Sequence, residues 1–305
     1  MKSRKNTLKT TPLVFALCAI LCFTISNAHG QSYETLNALR GHQVIAYYST
    51  GSKETAETMA TRCDAVLKFY KSQLDFEPTV TLLVLSAADW SSYTKFPFYG
   101  MPHYKDDKTL VVASEDNDFW KSQMPPLDQL PSEVAQKISK VYTNADNQLS
   151  LQAFFDLLAI HELGHAFSIQ GGLKTQRKWM GELLPNILLH TYIAEKEPEL
   201  LPALTLFPMM IVTSTNKADL KFTTLPELET NYGIMGPQHP KNYAWYQCKW
   251  HVAAATIYEE GGITAVKNLW QALKTHQDPL DDSAFVSLLS EVDESMSNVP
   301  LKWND

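Results

Sequence analysis

The chain has 305 residues, 45 % of them hydrophobic and 19 % charged, with a formal net charge of −7. That is enough apolar material for a sizeable core in one or two domains. The acidic balance argues against nucleic acid or an anionic membrane surface as partner.

Lys2, Arg4, Lys5 and Lys9 precede an apolar run over residues 12–25, and the small residues Ser26, Ala28 and Gly30 follow it. That order predicts a secretory signal peptide over 1–30, cut after Ala28 or Gly30. The expected product is exported, to a periplasm or the extracellular space, with an uncleaved N-terminal anchor as the alternative. Leucine precedes both Cys18 and Cys22, so neither resembles a lipoprotein cysteine. The segment holds four basic and no acidic residues, so its removal takes the formal charge from −7 to −11 and leaves only Cys63 and Cys248. These two could pair in an oxidising compartment. Equally, Cys63 shares a helical face with Met59, Val66 and Tyr70, as a buried thiol would. No later stretch is long and apolar enough for a stable membrane span.

Residues 43–49 read as a strand, 54–74 as an amphipathic helix, and 79–86 and 109–114 as two further strands. The loop Phe98-Tyr99-Gly100-Met101-Pro102 is aromatic and rich in turn residues; it could line a site or only reverse the chain. Residues 115–149 are polar, with Pro125, Pro126 and Pro131, and predict a connection holding a short helix. From 150 onward the pattern is mainly helical, and no internal repeat is present. The expected fold class is α+β. An N-terminal lobe over 31–149 carries a small mixed sheet, a mainly helical lobe covers 150–305, and a cleft separates them within one catalytic unit.

The helix expected over 150–170 contains His161-Glu162-Leu163-Gly164-His165. Leu151, Phe154, Phe155, Leu158 and Phe167 give it an apolar face, Ser150 is a candidate N-cap, and Gly171-Gly172 is a stop. Residues four apart lie one turn apart on one helical face, so His161 and His165 can present two imidazoles to one ion. Glu162 beside them can reach a water on that ion. This is the two-histidine half of a zinc hydrolase site together with its general base. Tetrahedral zinc then needs a third protein ligand, the fourth position being left to water. A metzincin arrangement would need glycine at 168 and histidine at 171, and the chain has Ser168 and Gly171. Glu182, Glu195, Glu197, Glu199 and His190 remain as downstream candidates, the three later glutamates lying in a Pro-punctuated acidic run.

Trp179-Met180-Gly181-Glu182 resembles the second motif of gluzincins of the thermolysin and aminopeptidase N type, and more closely that of the small bacterial peptidases of the MA-like group. The resemblance spans roughly residues 80 to 275. It implies zinc, one ion per chain, held by His161, His165 and Glu182, with Glu162 as general base. It implies Asn186, four residues after Glu182, as a partner for a ligand histidine. Leu183 replaces the family's glycine, and Pro185 stands inside the expected helix, so that helix should start late, near Gly181, or kink. Tyr246 opens a helix that ends in Gly261-Gly262, and the resemblance gives its hydroxyl to the oxyanion, with Tyr243 and His251 as neighbouring alternatives. It also implies that Leu110, Val111, Val112 and Ala113 form an edge strand that pairs with extended substrate.

The expected activity is therefore zinc-dependent hydrolysis of a peptide or protein substrate. Two alternatives stay open: a zinc-bearing binding or accessory protein with reduced catalysis, and a hydrolase of a cell-envelope peptide.

Overall fold

The computed structural model describes residues 33–124, 127–144 and 146–304. The expected signal peptide lies outside the described residues. Residues Glu34–Asp305 form one compact unit.

The fold is α+β, built on a small mixed sheet of five strands. Their order is β1 (Asn37–Leu39), β2 (Ile45–Tyr48), β3 (Thr81–Leu85), β5 (Thr109–Ala113) and β4 (His103–Tyr104). The three apolar strands β2, β3 and β5 run parallel at the centre, and β1 and β4 pair antiparallel outside them. A parallel centre must be covered, and β3 and β5 accordingly consist almost wholly of buried aliphatic residues.

Helix α1 (Lys53–Leu74) connects β2 to β3 and buries Met59, Ala60, Cys63, Val66, Leu67, Tyr70 and Leu74 along one face. Spacings of three and four make that face apolar. Two short helices interrupt and follow the strands, α2 (Ala87–Tyr93) after β3 and α3 (Asp118–Ser122) after β5, and α4 (Ser132–Tyr142) leads to the helical part. The segment 115–149 thus holds the two helices α3 and α4 where the sequence predicts one short helix. The loop at 98–102 turns through Gly100 (φ 100), where a Cβ would meet the Asn117 side chain at 2.6 Å. Trp120 Nε1 donates to the Gly100 carbonyl at 2.7 Å, so the loop is tied to α3.

Seven α-helices follow among the described residues: α5 (Gln152–Gln170), α6 (Lys178–Lys196), α7 (Leu201–Ser214), α8 (Leu225–Gln238), α9 (Pro240–Thr275), α10 (Asp282–Val292) and α11 (Glu294–Leu301). Helix α9 is broken at Gly262 (φ 55, ψ −157), a conformation open to glycine because it lacks a Cβ. Helix α5 packs against α1, β4 and β5 on one side and against α6 on the other, and α9 packs against α6, α7 and α8. The Gln170 amide fastens the end of α5 to the sheet, accepting from Thr79 N at 2.8 Å and donating to the Thr79 carbonyl at 3.0 Å. No helix among the described residues is long and apolar enough to cross a membrane.

Cys63 and Cys248 are both free and buried, on α1 and α9. Burial pushes each thiol up to about 12. Of the two readings of these cysteines, the structure has the buried thiols.

Candidate metal centre

Helix α5 begins at Gln152, after a first turn at Leu151, and no side chain caps it. Ser150 sits just outside, accepting from Gln152 N at 3.1 Å and donating to Asp116. The helix stops at Gly171 and Gly172, where Gly172 takes φ 69. His161 and His165, one turn apart, bring their Nε2 atoms to 3.2 Å of each other, with ring planes crossed at 81°.

Helix α6 starts at Lys178, earlier than Gly181, and runs unbroken through Pro185. The proline is accommodated by its neighbour on α5. A Cβ at Gly164 would lie 2.6 Å from Pro185 Cα, so only glycine allows the backbones to come this close. That approach brings Glu182 to the histidines: its Oε2 lies 3.7 Å from His161 Nε2 and 3.9 Å from His165 Nε2. The three side chains could hold a metal ion. Glu195, Glu197, Glu199 and His190 are not in this cluster; Glu197 pairs with Arg62 at 3.1 Å instead.

Gly164→Ala is expected to force α5 and α6 apart. Overpacking of this kind costs about 1–3 kcal/mol, and metal affinity should fall with it. Gly233→Ala on α8, where a Cβ meets nothing within 4 Å, is the control. It should be neutral or gain up to about 1 kcal/mol of helix propensity. Equal melting temperatures for the two variants would show that the 164–185 contact does not set the helix spacing.

The protonation pattern around the cluster can be read from its hydrogen bonds. Asn186 Nδ2 donates to the Glu182 backbone carbonyl at 3.0 Å, which fixes the amide's orientation. Asn186 Oδ1 must then accept from His161 Nδ1–H, at 3.1 Å. This tautomer leaves the His161 Nε2 lone pair facing His165 and Glu182. Burial, and then His165, push His161 down to about 4 against the pull of Glu182 and Asn186. Burial lowers His165 as well. The histidine–glutamate contacts are therefore between a carboxylate and neutral imidazoles, the protonation states a metal ion requires.

Glu182 is itself held on both oxygens. Tyr232, on α8, donates to Oε1, and Gln247 Nε2, on α9, donates to Oε2 at 2.8 Å. Burial favours the neutral acid, but the two histidines, where they are protonated, and these two donors outweigh it and hold the carboxyl below its usual range. Glu162 is pushed the other way, well above the usual carboxylate range, by burial and then by Glu182. It lines a pocket of about 400 Å³ with His165, Ala166, Ile169, Tyr104 and Asp107. A depression of similar size around Arg62 and Glu197 holds no member of the cluster.

Two expected site elements lie elsewhere. The Tyr246 hydroxyl donates to the Thr224 carbonyl at 2.7 Å, and its ring stacks on Trp303 at 5.7 Å. Three residues on a helix turn a side chain about 60° off its starting face. That rotation separates Tyr246 from Tyr243, whose hydroxyl is bound to Gln247 at 3.0 Å. His251, a further turn along α9, lies with its ring centroid 6.5 Å from that of His161. The strand carrying Leu110, Val111, Val112 and Ala113 is not the sheet's edge, because β4 pairs outside it through His103↔Val111 and Tyr104↔Leu110. All four residues are buried. A two-residue strand leaves no periodic signal, which is why this edge was not legible.

Gln247 and Tyr232 were not expected in the site. The pairing of Tyr243 with Gln247 at helical spacing four was available from the sequence. Nothing local marks Tyr232, fifty positions from the residue it holds. Neither the protein-family models nor the curated proteins contain a match to this chain, so the chemistry of the site rests on its own geometry.

Proposed function

We propose that this chain is an exported zinc-dependent peptidase. The observation that carries the reading is the convergence of His161 Nε2, His165 Nε2 and Glu182 Oε2 beside the half-buried, pocket-lining Glu162. The donor set suits zinc. Bonds of about 2.0–2.2 Å at the tetrahedral angle place ligand atoms about 3.3–3.6 Å apart. The distances here are 3.2, 3.7 and 3.9 Å, so contraction by a few tenths of an ångström closes the site.

Zinc, when bound, would polarise a water and the substrate carbonyl. His161, His165 and Glu182 would hold it. Glu162 would take the proton from the attacking water and return it to the leaving nitrogen. Glu162 lines a pocket that is open to a substrate. The oxyanion donor in this reading is Tyr243 rather than Tyr246. Its hydroxyl oxygen receives an N–H from Gln247, and among the described residues nothing accepts its own proton. The edge that would receive extended peptide is β4, at the mouth of the pocket. In this reading the sheet-bearing residues 31–149 and the helices of 150–305 form two walls of a zinc cleft.

Metal analysis together with a broad peptide library tests the proposal. One zinc per chain and cleavage that chelation abolishes are expected; a zinc-loaded chain that cleaves no peptide would overturn it. Within the site, removing an oxyanion donor costs about a hundred- to a thousandfold in kcat. Tyr243→Phe should lower kcat and kcat/KM together by that factor with KM little changed. Tyr246→Phe should leave both near wild type and show its effect in stability. The reverse result would return the role to Tyr246.

A further inference from the structure

Gln247 touches two parts of the proposed machinery at once. Its Nε2 lies 2.8 Å from Glu182 Oε2 and 3.0 Å from the Tyr243 hydroxyl oxygen. A carboxylate can only accept, so the end of the amide that faces it must be the NH2 group. That group has two protons and two acceptors. Tyr243 is therefore the acceptor in its bond with Gln247, and the tyrosine's own proton is directed away from the amide. Tyr243 and Gln247 lie one turn apart on α9, so the helix itself keeps the pair in register.

We infer that Gln247 is a positioning residue that fixes the Glu182 oxygen facing the two histidines and sets the direction of the Tyr243 proton. One side chain thereby couples the geometry of the metal site to the aim of the transition-state donor. This rests on the proposed function for the role of Tyr243, but not for the hold on Glu182. A purely structural glutamine would contribute to folding and leave both properties unchanged.

The test uses the full chain carrying Gln247→Met, which keeps the length and removes the amide. Gln247→Asn is the second variant, since it keeps the polarity but is one methylene too short to reach both acceptors. Zinc affinity is measured by chelator competition, and kcat and KM are measured at saturating zinc. Partners that hold a ligand typically contribute ten- to a hundredfold in metal affinity. Both variants should weaken zinc by about that factor, whereas Tyr243→Phe should change it less than about twofold. Both should lower kcat with KM little changed. The double variant Gln247→Met/Tyr243→Phe should be less slow than the product of the two single losses, because part of the glutamine's effect runs through the tyrosine.

Unchanged zinc affinity in both folded variants would overturn the inference. So would kcat losses that multiply in the double variant. Zinc affinity does not depend on turnover, so a wild-type chain that binds zinc and cleaves no peptide defeats the proposed function separately. The hold on Glu182 then stands or falls on the affinities alone.

Discussion

Glu162→Gln is expected to keep its zinc and lose nearly all turnover. Glutamine has almost the shape of glutamate but cannot take a proton from an attacking water. General acid–base groups typically contribute about a hundred- to ten-thousandfold, and Glu162 serves both halves of the reaction in this reading. The residue lies beside His161, His165 and Glu182, the three side chains that could hold the ion, and is not one of them. Burial and Glu182 hold the metal-free carboxyl well above the usual range, so neutral glutamine there should fold at least as well as wild type. A dication would pull that carboxyl back toward ionisation. Zinc content near one per chain with kcat reduced at least a hundredfold is the predicted result. If the variant sheds its zinc, Glu162 is a ligand; if it turns over normally, the base lies elsewhere.

His161→Ala should abolish zinc binding and with it the stabilisation that zinc confers. A ligand at a hundred times its dissociation constant stabilises by about 2.7 kcal/mol. The wild-type melting temperature should therefore rise on adding zinc, and the variant's should not. The substitution also strips Asn186 Oδ1, on a fully buried residue, of its donor. An unsatisfied buried acceptor costs about 1–3 kcal/mol, so the metal-free variant should be weaker as well. A pH dependence belongs to the same residue. In the metal-free protein His161 is held at about 4, while a histidine in an unfolded chain titrates near about 6.5. Between these values the unfolded chain binds more protons than the folded one. Stability should therefore fall as pH drops from about 6.5 to about 4, and His161→Ala should flatten part of that slope in urea titrations. A slope unchanged by the substitution would assign the acid sensitivity to His165, His190 or His251, which burial also lowers.

The sequence by itself determined the elements whose signal is local. The strands expected at 43–49, 79–86 and 109–114 follow from short β-prone runs and the helices at 54–74 and 150–170 from apolar residues at spacings of three and four, and the structure has them at 45–48, 81–85, 109–113, 53–74 and 152–170. It also placed His161 and His165 on one face, since an i, i+4 pair needs only a helix to meet. What lies one helix away was partly legible: Glu182 and Asn186 are four apart, and both face α5 in the structure. Pro185 read from the sequence as a defect in α6, because its partner Gly164 is visible only when the two helices touch. The tertiary structure alone decided which face of α9 meets the site. A helix repeats every 3.6 residues, and a shift of three positions exchanges Tyr243 for Tyr246 without altering the pattern of apolar residues. It alone brought Tyr232 to Glu182, and it alone set the two-residue β4 outside β5. Both are contacts between segments distant in the chain or too short to carry a period, and such contacts are fixed by packing.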